Sequence, residues 1–86
     1  MFLTKQDVAN QFAAHLQHRI SLPELVDWAE NAMMDGEFDE KDVATIAAVV
    51  ARLGVADVRA FGLTWADCEE LLAKLGFSAR VEIIAA

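Results

Sequence analysis

Four positions in this chain carry the same helix-starting pattern. Each has a capping residue, an acid three positions later, and apolar residues immediately before the cap and four after it. The sets are Leu3-Thr4-Asp7-Val8, Ile20-Ser21-Glu24-Leu25, Phe38-Asp39-Asp42-Val43 and Leu63-Thr64-Asp67-Cys68. A Ser, Thr or Asp cap accepts a hydrogen bond from the N–H of the third helical residue. The acid at that residue reaches back to the cap's own N–H, and the apolar pair staples the chain's entry. The acid also opposes the positive end of the helix dipole. The pattern predicts an all-α domain of four helices joined by short loops, as a bundle or a more orthogonal array.

Periodicity fills in the segments. The first helix is expected over 5–19, with Val8, Ala9, Phe12, Ala13, Leu16 and Ile20 inward. The second runs over 22–34. Pro23 is tolerated in its first turn, where its missing N–H has no intrahelical use. Leu22, Leu25, Val26, Ala29, Ala32 and Met33 form its inward stripe, and Trp28 lies on the border. The third, over 40–53, has only a narrow polar strip of Lys41, Thr45 and Arg52. A helix apolar nearly all round is central or lies in an oligomer interface. Gly54-Val55 then reads as a Schellman-type stop, repeated at Gly76-Phe77 after a fourth helix over 65–75. Between them, Asp57 caps at most one turn before Gly62. Residues 78–86 change character: Arg80-Val81-Glu82-Ile83-Ile84 alternates and is β-branched, which predicts a short strand. Its partner would be Met1–Leu3 or a second copy, or it frays. The division is a helical domain over 1–77 and a strand-like tail over 78–86.

One proline and four glycines in 86 residues leave few breaks, and 56% apolar content excludes intrinsic disorder. No stretch approaches the roughly 20 apolar residues a membrane-spanning helix needs. Met1-Phe2-Leu3-Thr4 lacks a basic region before an apolar run, so no signal peptide is expected. The single cysteine, Cys68, excludes an internal disulfide and suits a reducing cytosol.

The net charge of −7 is concentrated in one segment. Between Glu24 and Asp42 there are eight acids against one base, Lys41, while the remainder is balanced at six and six. Such a charge repels phosphate backbones, arguing against nucleic acid, and favours fast encounter with a basic protein surface. On the second helix the acids fall outward. The expected docking face is Glu24, Asp27, Glu30, Asp35 and Glu37 for steering, with Trp28 as anchor and Met34 at its edge.

Residues 12–27, FAAHLQHRISLPELVD, resemble the first half of small acidic toxin-immunity proteins of the colicin D immunity type, through Phe12, Ile20, Ser21, Glu24 and Leu25. That resemblance implies a helical inhibitor of bacterial origin that presents carboxylates to the active site of a basic nuclease. The region of Trp28 and Gly36 departs from that family's pattern.

Two alternatives stand beside a non-enzymatic interaction module. Asp35-Gly36-Glu37-Phe38-Asp39-Glu40-Lys41-Asp42 matches the back half of a calcium loop whose first ligand would be Asn31, although Met33 occupies a position that needs oxygen. The other alternative is a small homo-oligomeric scaffold, a homodimer packed through the third helix. His15 and His18 have a metal-binding spacing but no third ligand near them. Cys68 lies on an apolar stripe. No phosphate loop or hydrolase motif occurs, so neither catalysis nor a cofactor is expected.

Overall fold

The computed structural model describes residues 2–59, 61–80 and 83–85. The order is β1 (Phe2–Leu3), α1 (Lys5–Leu16), α2 (Leu22–Asp35), β2 (Glu37–Phe38), one 3₁₀ turn (Glu40–Asp42), α3 (Val43–Leu53) and α4 (Trp65–Lys74). The chain is mostly helical, with a small parallel sheet that the sequence pattern did not show.

Three of the four capping boxes form in full. The Thr4 N–H donates to Asp7 Oδ2 at 2.8 Å, and the Asp7 N–H returns to Thr4 Oγ1 at 3.3 Å. Ser21 and Glu24 exchange bonds of 3.1 and 3.3 Å, and Thr64 and Asp67 bonds of 2.9 and 3.1 Å. The expected box at Asp39 and Asp42 does not form. The Asp39 N–H, which the Asp42 carboxylate would have to accept, donates instead to the Leu3 carbonyl at 2.9 Å. The Asp39 carboxylate then accepts from the Lys41 N–H, and Asp42 turns to Lys5 Nζ at 3.6 Å. β1 therefore takes the donor that the cap needs. The third helix starts with a 3₁₀ turn and becomes α-helical at Val43, three residues later than expected.

The helix ends differ in a similar way. α1 stops at Leu16 rather than continuing to residue 19, because His18 adopts φ +60. His18 N–H donates to the His15 carbonyl and Arg19 N–H to that of Ala14, a Schellman motif with histidine in the left-handed position usually given to glycine. α4 closes the same way through Gly76, at φ +86, and Phe77, whose N–H reaches the Leu72 carbonyl. Gly54 does not close α3 in this manner. Its φ is −64, and the chain runs on in right-handed turns that bury Ala56. The two Gly-apolar stops therefore share sequence but not geometry. Turns continue to Gly62, at φ +62.

The core is built from Val8, Ala9 and Phe12 of α1, Leu25, Ala29 and Ala32 of α2, Ile46, Val49, Val50 and Leu53 of α3, and Cys68, Leu71 and Leu72 of α4, with Leu3 and Leu75. α3 is the element that meets α1, α2, α4 and β2, and its closest partnership is with α2. Ala29 and Ala32, fully buried, let those two helices approach closely. Arg52 near the end of α3 pairs at 3.5 Å with Asp67, the same carboxylate that caps α4, so one side chain both starts α4 and ties it to α3.

Of the residues expected inward on the first two helices, Met33 is the exposed one. Met33 is 55% exposed, since the α2–α3 contact runs through the alanines and Met33 falls beyond its edge, beside Gly54. Trp65 is also exposed, in the first turn of α4. The expected C-terminal strand includes Val81 and Glu82, which lie outside the described residues. Residues 78–80 and 83–85 carry no regular secondary structure, and Phe2–Leu3, offered as its partner, pairs in parallel with Glu37–Phe38.

Candidate functional site

The outer face of α2 is fixed by its inner one. With Leu25, Val26, Ala29 and Ala32 buried, a rotation of 100° per residue leaves Glu24, Asp27, Glu30, Asn31, Met34 and Asp35 on one exposed arc. Met34 follows Glu30 by four positions and Asp27 by seven, so it stands within the acidic stripe rather than at its edge. It is 78% exposed. Met33 borders the arc on one side and Trp28 on the other. Trp28 is partly buried against the core cluster, so only part of its ring is available to a partner. Glu37 extends the face onto β2, where strand alternation turns it outward while Phe38 packs on the core.

The eight acids of this segment divide by duty, with Glu40 exposed in the 3₁₀ turn before α3. Glu24 caps α2, Asp39 holds the turn before α3, and Asp42 pairs with Lys5. Asp27, Glu30, Asp35 and Glu37 are exposed and make no side-chain hydrogen bond or ion pair among the described residues. Their placement also works against the helix. Asp35 sits in the last turn of α2, at the negative end of the dipole, and that turn has no basic residue. An acid there is unfavourable by about 0.3–1 kcal/mol, and like charges three apart, as at Asp27 and Glu30, add a few tenths.

The other candidates are placed as follows. Asn31 to Asp35, the first five positions of the calcium-loop pattern, are helical. Among the described residues, no group of three His, Cys, Asp or Glu side chains converges to hold a metal ion. His15 lies on α1, but His18 is past its end in the left-handed position, so the pair does not share a helix face. Cys68 is buried, and burial pushes its thiol pKa up, with the neighbouring Asp67 charge adding to the effect. No helix among the described residues is long and apolar enough to cross a membrane.

A second concavity was not read from the sequence. It lies between α1, α4 and residues 77–80, on a side of the molecule to which α2 contributes no lining residue. Its signal in the sequence was slight: small residues at Ala9 and Ala13 on the α1 stripe, and Trp65 at the very start of α4.

No protein-family model, curated protein or solved structure matches the chain.

Proposed function

We propose that the protein is a non-enzymatic interaction module that docks a basic protein through the outer face of α2 and β2, acting as an inhibitor of the toxin-immunity kind in a bacterial cytosol. Asp27, Glu30, Asp35 and Glu37 steer the partner. Met34 supplies the apolar contact at the centre, and Trp28 and Met33 supply it at the borders. The observation that carries this reading is that four exposed acids surround a 78% exposed methionine, in an arrangement electrostatically unfavourable to α2 itself. A cationic surface would relieve that repulsion and cover the methionine, whereas nothing among the described residues does either. Long-range attraction sets the encounter rate, and the central apolar contact sets the residence time.

The test is binding of purified basic nuclease toxin domains, measured by interferometry across a range of salt concentrations. Affinity should fall as salt rises. The Asp27→Lys/Glu30→Lys double variant should lose about tenfold or more and show a shallower salt dependence. Met34→Ala should speed dissociation with little change in association. A double variant with unaltered affinity and salt slope refutes the docking face.

A further inference from the structure

Three methionines and one cysteine are the chain's sulfur residues. Met1 lies outside the described residues. The other three divide sharply by access. Cys68 is 1% exposed in the core, and burial pushes its thiol pKa up, so it offers an oxidant little thiolate. Met34 is 78% exposed and Met33 55%. Met34 stands within the acidic arc of α2 and Met33 at its border. Among the described residues, none that lines the groove between α1, α4 and residues 77–80 carries sulfur. The two methionines also differ from each other. Met33 Sδ rests against the end of α3, 3.8 Å from where a Cβ on Gly54 would lie. Accessible sulfur is thus gathered on the proposed docking face, with Met34 the more open of the pair.

We propose that Met34 is a site of reversible oxidation by hydrogen peroxide, and that its sulfoxide releases a basic partner docked on α2. The proposal rests on the docking face described above. A lone pair of Sδ attacks one peroxide oxygen and the O–O bond breaks. The transferred oxygen gives up its proton to the departing hydroxide, so the products are a sulfoxide and water. Sulfur is oxidised by two electrons and the peroxide is reduced by two. A thioether needs no deprotonation for this step, so exposure decides which methionine reacts first. The sulfoxide turns a flexible apolar side chain into a polar one. Covering it then desolvates a polar S–O group where the thioether gave apolar contact. The net charge does not change, so long-range attraction persists while the central contact is lost. Dissociation therefore quickens and association does not. The fold survives the change, because Met34 is no part of the core cluster.

The test treats the purified protein with hydrogen peroxide, quenches with catalase and reads the product in two ways. Peptide mass spectrometry should find Met34 converted first, Met33 later and Cys68 unmodified, with the circular dichroism of the helices unchanged. Interferometry against a basic nuclease toxin domain should show dissociation about tenfold faster and association unaltered. Methionine sulfoxide reductases acting on both epimers should restore the slow rate. Met34→Gln, polar and of similar length, should dissociate as fast as the oxidised parent. Met34→Leu forms no sulfoxide, so its dissociation rates with and without peroxide should agree, whatever their starting value. Met33→Leu should keep the parent's ratio between the two rates. Failure of the untreated protein to bind refutes the docking face and the switch together. Binding that persists unchanged after conversion of Met34 overturns the switch alone. So does conversion of Met33 or Cys68 ahead of Met34, loss of helicity on oxidation, or a peroxide response that persists in Met34→Leu or vanishes in Met33→Leu.

Discussion

Gly36 stands at the point where α2 hands the chain to β2, and replacing it with alanine should be the most damaging of the glycine substitutions. Its φ of −79 is open to any residue, so backbone freedom is not the issue. Space is. A Cβ at residue 36 would lie far inside contact distance of the Ala32 carbonyl oxygen, and at 3.0 Å from Leu3 Cδ1. The carbonyl belongs to the last turn of α2 and cannot swing aside, because the Gly36 N–H donates to it at 2.8 Å. The chain after residue 36 must therefore move. That shift carries away β2, its pairing with Phe2–Leu3, the bond from Asp39 to Leu3, and the seat of the Leu3 side chain, now 3% exposed. Losing much of the burial of one leucine costs about 1.5–2 kcal/mol, and one or two net hydrogen bonds about 0.5–1.5 kcal/mol each. The total is about 2–5 kcal/mol, a large share of the stability of a domain this small. Gly54→Ala is the control. Its φ is −64 and its Cβ would meet nothing nearer than 3.5 Å, so it should be neutral or stabilise by about 0.4–1 kcal/mol through the unfolded chain. Urea denaturation followed by far-ultraviolet circular dichroism measures both. A Gly36→Ala variant within about 0.5 kcal/mol of the parent, or a Gly54→Ala variant equally damaged, refutes this account of the turn.

Three further outcomes follow from particular contacts. His18→Gly should raise stability by up to about 1 kcal/mol, since it removes a side chain from the left-handed region at the end of α1; a loss in urea titration would show that the imidazole makes a stabilising contact. Asp67 is held below the ordinary carboxylate range chiefly by the Thr64 backbone N–H, then by the Thr64 hydroxyl and by Arg52. A depressed folded-state pKa gives stability that is complete above the unfolded value of about 3.9 and lost as pH falls through the lower folded one. Asp67→Asn should accordingly flatten the acid limb of the stability curve below about pH 4, with a parallel curve counting against this carboxylate's role. Cys68, buried and with its thiol pKa raised, should react with a thiol reagent only as fast as the protein opens; prompt labelling of the native protein would contradict its burial.

The parts of the fold legible in the sequence were those encoded by neighbouring residues. Thr4, Ser21 and Thr64 begin helices because each cap and its acid lie three residues apart and need no other segment. The Asp39 box has the same local letters and fails through a distant competitor, the Leu3 carbonyl. Pairing between residues 2–3 and 37–38 leaves no periodic trace, since two residues per strand are too few to alternate. The end of α1 was misplaced for a related reason. Histidine is an uncommon choice for the left-handed position, so periodicity alone carried the helix on to residue 19.

The two surfaces differ in legibility for a physical reason as well. The acidic face belongs to one helix, and a rotation of 100° per residue assigns its members once the buried stripe is known. Even so, the sequence set Met34 at the border, whereas its spacing from Glu30 and Asp27 puts it inside the stripe. The position matters for recognition, because a central apolar contact ringed by charge excludes water better than a peripheral one. The groove draws on α1, α4 and the chain beyond α4, and its shape depends on what Ala9 and Ala13 leave unfilled. Alanine on an inward stripe reads as close packing when a helix is considered alone. In α2 that is what it means, since Ala29 and Ala32 are fully buried against α3. In α1, Ala13 keeps partial exposure and lines an open space instead. The same residue type on an inward stripe thus closes one contact and opens another. The difference lies in whether a neighbouring helix advances to meet it, as α3 meets α2, or leaves space beside it, as on this side of α1.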